Sequence, residues 1–514
     1  MSSKEQKRVA VIGSGIAGLV TAKVLLHDGF DLVVFEKEDA LGGTWAPARG
    51  YPGLRTNNSK YTYAFSDYPY PAEVNAFPVA DNVRDYLNGY ADHFRIRERI
   101  RFNSRVVTIN TSGESGEQFQ VTVASGEEQA DVEILAFDFV AVCNGVFHEP
   151  YIPKYEGMDE FSGRVIPSCD VTTEIYNACK HPVVVGGGKS GLDSATAAAQ
   201  LGLMPTVVVR RPIWIAPRFV GGLIPGDFLV LNRMSSRFLP YHHLRGVEKF
   251  LHGAGKIIPK VFWQTFSFIF RKVLDMPPDL TPDPLPKGLE QIGVGGEFFV
   301  ELNAGRAAAK RGIVKRFEKD HIELEDGTRL SADLVIFATG WEQNLSFLAD
   351  EIREDVQRDG RFYLYRHILP PRVRGMGFIG YSSSVAAQLT AEIGAHWLSQ
   401  HFLGALDLPS KEDMDAAIDR VHAWVAKDMS YRKEGFFVGA NVPQYIDDLL
   451  GDMDVRTRRM PDFIRENFGP IFPSRFASVG DERCAKREGR IVPKPFYFSA
   501  WYAGAAAIVL WLVI

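Results

Sequence analysis

Two short glycine-rich runs are the residues of this chain best suited to chemistry. The first is Gly13-Ser14-Gly15-Ile16-Ala17-Gly18, directly after the apolar run Val9-Ala10-Val11-Ile12. The second is Gly186-Gly187-Gly188-Lys189-Ser190-Gly191, directly after Val183-Val184-Val185. In this spacing the first glycine (Gly13, Gly186) lets a strand turn sharply. The second (Gly15, Gly188) lets a pyrophosphate approach the backbone, and the third (Gly18, Gly191) lets the next helix pack close to the strand. The free N–H groups at the start of that helix then hold the phosphates. One such run arises readily by chance. Two, each between a strand and a helix, point to two bound dinucleotides and to electron transfer between them.

The residues after each cradle differ in charge. The strand Asp31-Leu32-Val33-Val34-Phe35 ends in Glu36, at about the spacing where an acid receives ribose hydroxyls. The strand Thr206-Val207-Val208-Val209 ends instead in Arg210-Arg211. Two cations in that place suit a 2′-phosphate, which reads as an NADPH site; the bland alternative is a solvated basic turn. Ser190 either touches the pyrophosphate or caps the helix that it opens.

The elements that must position these residues are readable in outline. Strand, cradle, helix and second strand fill the first forty or so residues. A loop-rich stretch with Gly42, Gly43, Pro47, Pro52 and Gly53 follows. Val106 to Val123 and Ile134 to Val142 alternate or run apolar as strands do. A new unit opens near Lys180 with the second cradle. Ile322 to Gly327 reads as a hairpin, and Leu334-Val335-Ile336-Phe337 as a buried strand that ends in Ala338-Thr339-Gly340. The stretch Pro259 to Met276, rich in aromatic and basic residues, reads as a domain-surface helix, with a membrane-lying helix as the alternative.

Composition excludes several classes. The 514 residues have room for two or three domains, with 46% hydrophobic and 24% charged residues, both ordinary for a globular chain. A net charge of −5 with no basic arm speaks against nucleic-acid binding. The four cysteines, Cys143, Cys169, Cys179 and Cys484, form neither C-x-x-C nor a metal spacing. That argues against a disulfide reductase built on two dinucleotide folds, predicts no metal, and fits a reducing compartment. The N-terminus has no apolar signal segment. Phe496 to Ile514, by contrast, is uncharged, with Tyr497, Trp501 and Tyr502 near its start and Arg483, Lys486, Arg487, Arg490 and Lys494 before it. As a helix it would be ~28 Å long, close to a bilayer core of about 30 Å. It is expected to anchor the protein in a membrane with the catalytic part in the cytoplasm, at the endoplasmic reticulum in a eukaryote. A buried terminal helix and one lying flat on the membrane are the alternatives.

Taken in order, further segments resemble the flavin-containing monooxygenases over nearly the whole chain. Glu36 to Trp45 (Glu-Lys-Glu-Asp-Ala-Leu-Gly-Gly-Thr-Trp) is similar to the family's FAD segment, with Gly43 and Trp45 in it. Thr56-Asn57-Asn58-Ser59-Lys60 and Phe65-Ser66-Asp67-Tyr68-Pro69-Tyr70-Pro71 resemble T-N-x-P-K and F-S-D-F-P-x-P. Val142-Cys143-Asn144-Gly145 resembles the strand end where the chain passes between domains. Phe337-Ala338-Thr339-Gly340-Trp341 resembles A-T-G-Y, and Glu392 to Trp397 resembles E-L-Q-A-R-W.

The resemblance implies an α/β architecture of two Rossmann-like dinucleotide-binding domains plus the C-terminal membrane helix. The NADPH domain (171–329) would be inserted into the FAD domain (1–170 and 330–480). It implies cofactor contacts at Gly13, Gly15, Gly18, Glu36, Gly43 and Trp45. In the second unit it implies Gly186, Gly188, Ser190, Gly191, Arg210, Arg211, Thr339 and Gly340. The reaction it implies is that of an N,N-dimethylaniline monooxygenase-like enzyme: NADPH reduces FAD, O2 forms a C4a-hydroperoxyflavin, and a small amine or thioether takes the distal oxygen. Asn57 would be a polar contact beside the flavin, its alternative being a loop-turn asparagine. Baeyer–Villiger oxidation of a ketone and NADPH oxidation without oxygenation are the competing outcomes. One departure stands out. The family's F-x-G-x-x-x-H-x-x-x-[Y/F] motif, placed in the interdomain linker, reads here from Phe161 to Val171 with Pro167 for the histidine and Val171 for the aromatic.

Overall fold

The computed structural model describes residues 6–112, 118–126, 131–282, 292–428 and 437–490. The expected membrane segment 496–514 lies outside these residues. Among the described residues no helix is long and apolar enough to cross a membrane, so the C-terminal membrane helix is no part of the architecture seen here.

Two five-stranded parallel sheets organise the chain. The first runs Met376–Phe378, Phe139–Val142, Arg8–Ile12, Asp31–Phe35, Ile100–Arg101, with Val9 opposite Leu32 on one side and Phe139 on the other. The second runs Ala308–Arg311, Thr206–Val209, Pro182–Val185, Leu334–Phe337, Arg164–Pro167, with Val184 between Val207 and Ile336. Both cradle strands are central and, after Arg8 at the start of the first, apolar, as strands buried on both faces must be. In each unit a three-stranded antiparallel meander leads from the third strand to the fourth: Ser104–Ser112, Gln118–Ser125 and Asp131–Phe137 in the first, and Val314–Glu318, His321–Leu324 and Arg329–Ser331 in the second. The expected hairpin at 322–327 is the turn of that second meander.

The two units are thus the same device, except for the fifth strand. In the first sheet that strand, Met376–Phe378, follows the other four in sequence. In the second sheet it is Arg164–Pro167 and precedes them. The chain therefore crosses between units twice, and the crossings pair: Trp341 lies opposite Pro150 and Glu342 opposite Glu149 in a short antiparallel ladder. The second sheet accordingly takes in 164–167 and 334–337, which flank the 171–329 span read from the sequence. It also corrects the place of the altered motif. Pro167 is not in a free linker but is the last residue of an edge strand, in register with Phe337, where a residue without an N–H is tolerated. Val171 is 1% exposed and packs in the second unit's core with Val184 and Ile336, so an aliphatic side chain fills the aromatic's position.

The first unit's core is built on two helices, Ile16–His27 and Ala387–Phe402. The second of these is buried on nearly every side, so its polar side chains, among them Gln388, Glu392 and His396, lie inside the protein with its apolar ones. Charges inside this core are paired. Glu392 accepts from the Ser66 N–H (2.9 Å) and hydroxyl (2.8 Å). Lys23 reaches both Glu392 (3.1 Å) and Asp67 (2.8 Å). At the end of the first helix, buried Asp28 receives Arg483 at 2.6 Å and Arg487 at 3.1 Å, together with the Ser399 hydroxyl. Arg483 also donates to His396 Nδ1 at 2.9 Å. Burial opposes the Asp28 charge, but Arg483, Ser399 and Arg487 outweigh it and hold the carboxyl below the usual carboxylate range. This network fastens the helix Val479–Arg487 to the first unit.

Because the folded-state pKa of Asp28 is depressed, its stabilising contribution is complete above about pH 3.8 and lost as pH falls through the lower folded value. Asp28→Ala leaves Arg483 buried without its carboxylate and is expected to cost about 3–5 kcal/mol in urea denaturation at pH 7. The variant should also lose less stability than the parent below pH 3.8. Equal acid sensitivity in the two proteins would show that Asp28 is not the group that titrates.

Candidate cofactor and active site

Each cradle turns where its strand meets the strand beside it. Gly13 has φ +101°, and a Cβ there would lie 2.8 Å from the Cys143 carbonyl oxygen, just past the end of Phe139–Val142. Gly186 has φ +126°, and its Cβ would lie 2.3 Å from the Ala338 carbonyl oxygen, just past Leu334–Phe337. Any side chain at Gly18 would begin 1.8 Å from the Gly13 oxygen, and at Gly191 2.0 Å from the Gly186 oxygen. The first and third glycines are therefore fixed by close packing. Gly188 has open space where its Cβ would be, and this space is the mouth of the second cradle. A Cβ at Gly15 would lie 3.4 Å from the Gly43 Cα, so the turn that contains Gly43 and Trp45 roofs the first cradle. The buried Trp45 indole donates to the Tyr63 hydroxyl at 3.0 Å. Burial keeps the neighbouring Cys143 thiol protonated, pushing its pKa up to about 12.

Glu36 is buried at the end of its strand, and one carboxylate oxygen accepts from the Ser14 N–H (2.8 Å) and hydroxyl (2.7 Å). The other accepts from the Glu38 N–H at 3.1 Å. A buried acid with lone pairs remaining beside the cradle suits ribose hydroxyls. Arg210 and Arg211 are both exposed at the end of Thr206–Val209, which suits a doubly charged phosphate at the surface. Thr339 and Gly340 lie at the crossing ladder instead: the Thr339 hydroxyl donates to the Tyr151 carbonyl, and Gly340 accepts from the Tyr151 N–H at 2.9 Å.

The segment 43–60 threads between the cradles. After roofing the first, it places Tyr51 against both cores, with its hydroxyl donating to Asp193 at 3.2 Å. Asp193 also holds the Lys189 ammonium, and Ser190 lies beside the Tyr51 hydroxyl. Asn57 is exposed on this segment. Its surroundings are tightly fixed: Asn58 donates to the Val385 carbonyl at 2.7 Å, and Lys60 donates to the carbonyls of Pro71, Ala72 and Val74. One contributor was not legible in the sequence. Asp227, from a lone acid in a glycine- and proline-rich stretch, accepts from the Ser59 N–H (3.1 Å), Ser59 hydroxyl (2.8 Å) and Thr62 hydroxyl (2.5 Å). Burial raises its carboxyl despite these bonds. It ties the Asn57 loop to the second unit.

A family profile described as "Flavin-binding monooxygenase-like" matches residues 6–467. The chain belongs to this family. A probable flavin-containing monooxygenase 1 from Arabidopsis thaliana is 29% identical over 512 residues, 90% of this chain and 94% of that protein. Among solved structures, S-allyl-L-cysteine S-oxygenase from Allium sativum is similar over 88% of this chain and 89% of its own, at 21% identity and a TM-score of 0.60. A cyclohexanone monooxygenase variant from Rhodococcus bound to NADP+ covers 87% and 97%, at 18% identity and a TM-score of 0.65.

The chain is an NADPH-dependent flavin monooxygenase, with FAD and NADPH as its cofactors. Bound FAD supplies the electron relay and the activation of O2. The protein's own groups bind, orient and enclose. Glu36 and the Gly13–Gly18 turn fit the flavin dinucleotide; Gly188 with Arg210 and Arg211 fits the phosphates of NADPH. Replacing both Arg210 and Arg211 by alanine is expected to weaken NADPH by about 1.5–3 kcal/mol and leave NADH nearly unchanged, as read by titration. Equal loss for both would assign the arginines to the fold.

Proposed function

We propose that this monooxygenase transfers oxygen to the nitrogen or sulfur of a small soft nucleophile. The observation that carries this reading is the segment 54–60, which presents the neutral amide of Asn57 from a loop pinned by Asp227, Val385 and Lys60. No charged acid–base pair is built into that loop, and a soft nucleophile needs none. The S-oxygenase likeness, which is a likeness of fold, is compatible with it. A second reading, Baeyer–Villiger oxidation of a ketone, draws on the higher TM-score of the cyclohexanone monooxygenase fold. The ratio of hydrogen peroxide formed to NADPH consumed separates the readings. It should fall well below one when an amine or a thioether is added and stay near one with ketones. A fall with ketones alone would favour the Baeyer–Villiger reading. No fall with any of them would leave an NADPH-oxidising flavoprotein.

We further propose that 496–514 anchors the protein, with the catalytic part on the cytoplasmic side. The uncharged run of ~19 residues is within the spanning range, and aromatic residues and a basic flank precede its core. Deleting Phe496 to Ile514 should move the protein from the membrane pellet to the soluble fraction with its yellow flavin retained. A truncated chain that aggregates colourless would mean that the segment belongs to the fold.

A further inference from the structure

Arg218 presents an unsolved electrostatic problem. It is 8% exposed, and only one arm of its guanidinium is engaged, by the Glu297 carboxylate. Its Nε and Nη2 are buried and have no hydrogen-bond partner. Leaving buried N–H groups of a charged fork unmet is costly, and native structures rarely do so without a ligand or water to complete them. The position of Arg218 is what gives this meaning. It follows the strand Trp214–Ala216 of the second unit. From there its Cζ stands 5.9 Å from the centre of the Phe77 ring in the first unit. Phe77 belongs to the stretch that pairs with the Asn57 loop, where Thr56 donates to the Pro78 carbonyl at 3.0 Å and Lys60 to the Ala76 carbonyl at 2.7 Å. On the other side, Arg218 is near enough for its charge to act on both Lys189 and Tyr51 at the mouth of the second cradle. Glu297 meanwhile approaches Arg55 to 4.0 Å.

Arg218 therefore lies between the start of the second-cradle helix and the Asn57 loop, on the route a dinucleotide would take from its phosphates towards the flavin. A guanidinium fork with two free N–H directions matches a phosphate bidentately. The neighbouring cation, Lys189, is already committed to Asp193. The 2′-phosphate end is a different place, at Arg210 and Arg211. We propose that Arg218 is a binding arm for the pyrophosphate of the nicotinamide cofactor, its free fork closing on the diphosphate that the Gly188 mouth admits. This deepens the reading of the second cradle as the NADPH site and rests on it. It makes a prediction opposite to that for Arg210 and Arg211, because a pyrophosphate is common to NADPH and NADH.

The test uses flavin-loaded full-length protein titrated with NADP+, NAD+ and adenosine 2′-monophosphate, which carries a 2′-phosphate but no pyrophosphate. Arg218→Met keeps the side-chain volume and removes the fork. Arg218→Lys keeps the charge and guards against a variant that does not fold. In Arg218→Met, NADP+ and NAD+ should weaken by the same factor, roughly ten- to a hundredfold, while adenosine 2′-monophosphate is unchanged. Arg218→Lys should lose an intermediate amount of both. Weakening of NADP+ alone would overturn the proposal and make Arg218 a 2′-phosphate reader. Unchanged affinities in variants with full flavin content and an unchanged melting temperature would overturn it in favour of a structural ion pair with Glu297. A parent protein that binds neither dinucleotide would sink the reading of the cradle itself.

Discussion

How tightly a helix start can be pressed against the strand that feeds it governs the rest of this molecule. At Gly18 and Gly191 a side chain would begin about as far from a carbonyl oxygen as a covalent neighbour does, 1.8 Å and 2.0 Å respectively. Only the absence of a Cβ lets the helix sit there. The consequence is electrostatic as well as steric: the first N–H groups of the helix point over the strand end, where a diphosphate collects them. The same closeness sets the neighbours. Gly13 and Gly186 press on the carbonyls of Cys143 and Ala338, the residues that follow the adjacent strands, so each cradle opens where the chain leaves the sheet on both sides. That is the crevice in which open parallel sheets bind ligands.

Two copies of this device in one chain would be independent but for the displaced fifth strand. Because Arg164–Pro167 belongs to the second sheet and Met376–Phe378 to the first, the chain must cross twice, and the crossings pair at Trp341 and Pro150. Arg49 stacks on Trp341 at 5.1 Å and also donates to the His148 carbonyl, which binds the loop over the first cradle to the crossing ladder. Tyr51 and Asp227 then make the bridge from either side of the cleft. A segment held at that many points is fixed against both units at once.

Sequence made the cradles legible because their requirement is local: a glycine is needed wherever backbone meets backbone, and its spacing follows from one turn of chain. The places of Glu36 and of the pair Arg210-Arg211, as strand-end residues at a set distance from each cradle, were legible for the same reason. The contributions of Asp227 and Arg218 were not, because each acts through contacts about 140 to 170 residues away in sequence, at Phe77, Ser59 and Thr62. Nothing about an isolated acid after Pro225-Gly226, or an arginine after Pro217, announces such a partner. Pro167 was misplaced on similar grounds. The motif that it interrupts was set in a linker, but the edge strand 164–167 exists only because Leu334–Phe337 comes back beside it from far along the chain.

With two near-identical backbones for two related ligands, selectivity has to come from side-chain charge at a few points. In the first unit a buried carboxylate, Glu36, stands where a ribose would be received, its oxygens already oriented by Ser14 and Glu38. A phosphate brought to that spot would meet like charge in a medium of low dielectric, where repulsion is strong. In the second unit Arg210 and Arg211 are exposed; a 2′-phosphate there would gain their charge, and a ribose without one would leave them hydrated at no loss. Exclusion at the first site would thus come from burial, and preference at the second from an attraction added at the surface. The asymmetry fits the demands on the two ligands. A retained flavin suits a cradle roofed by Gly43 and lined with committed hydrogen bonds. A nicotinamide cofactor that exchanges suits a cradle open at Gly188, with Arg210 and Arg211 exposed at the neighbouring strand end.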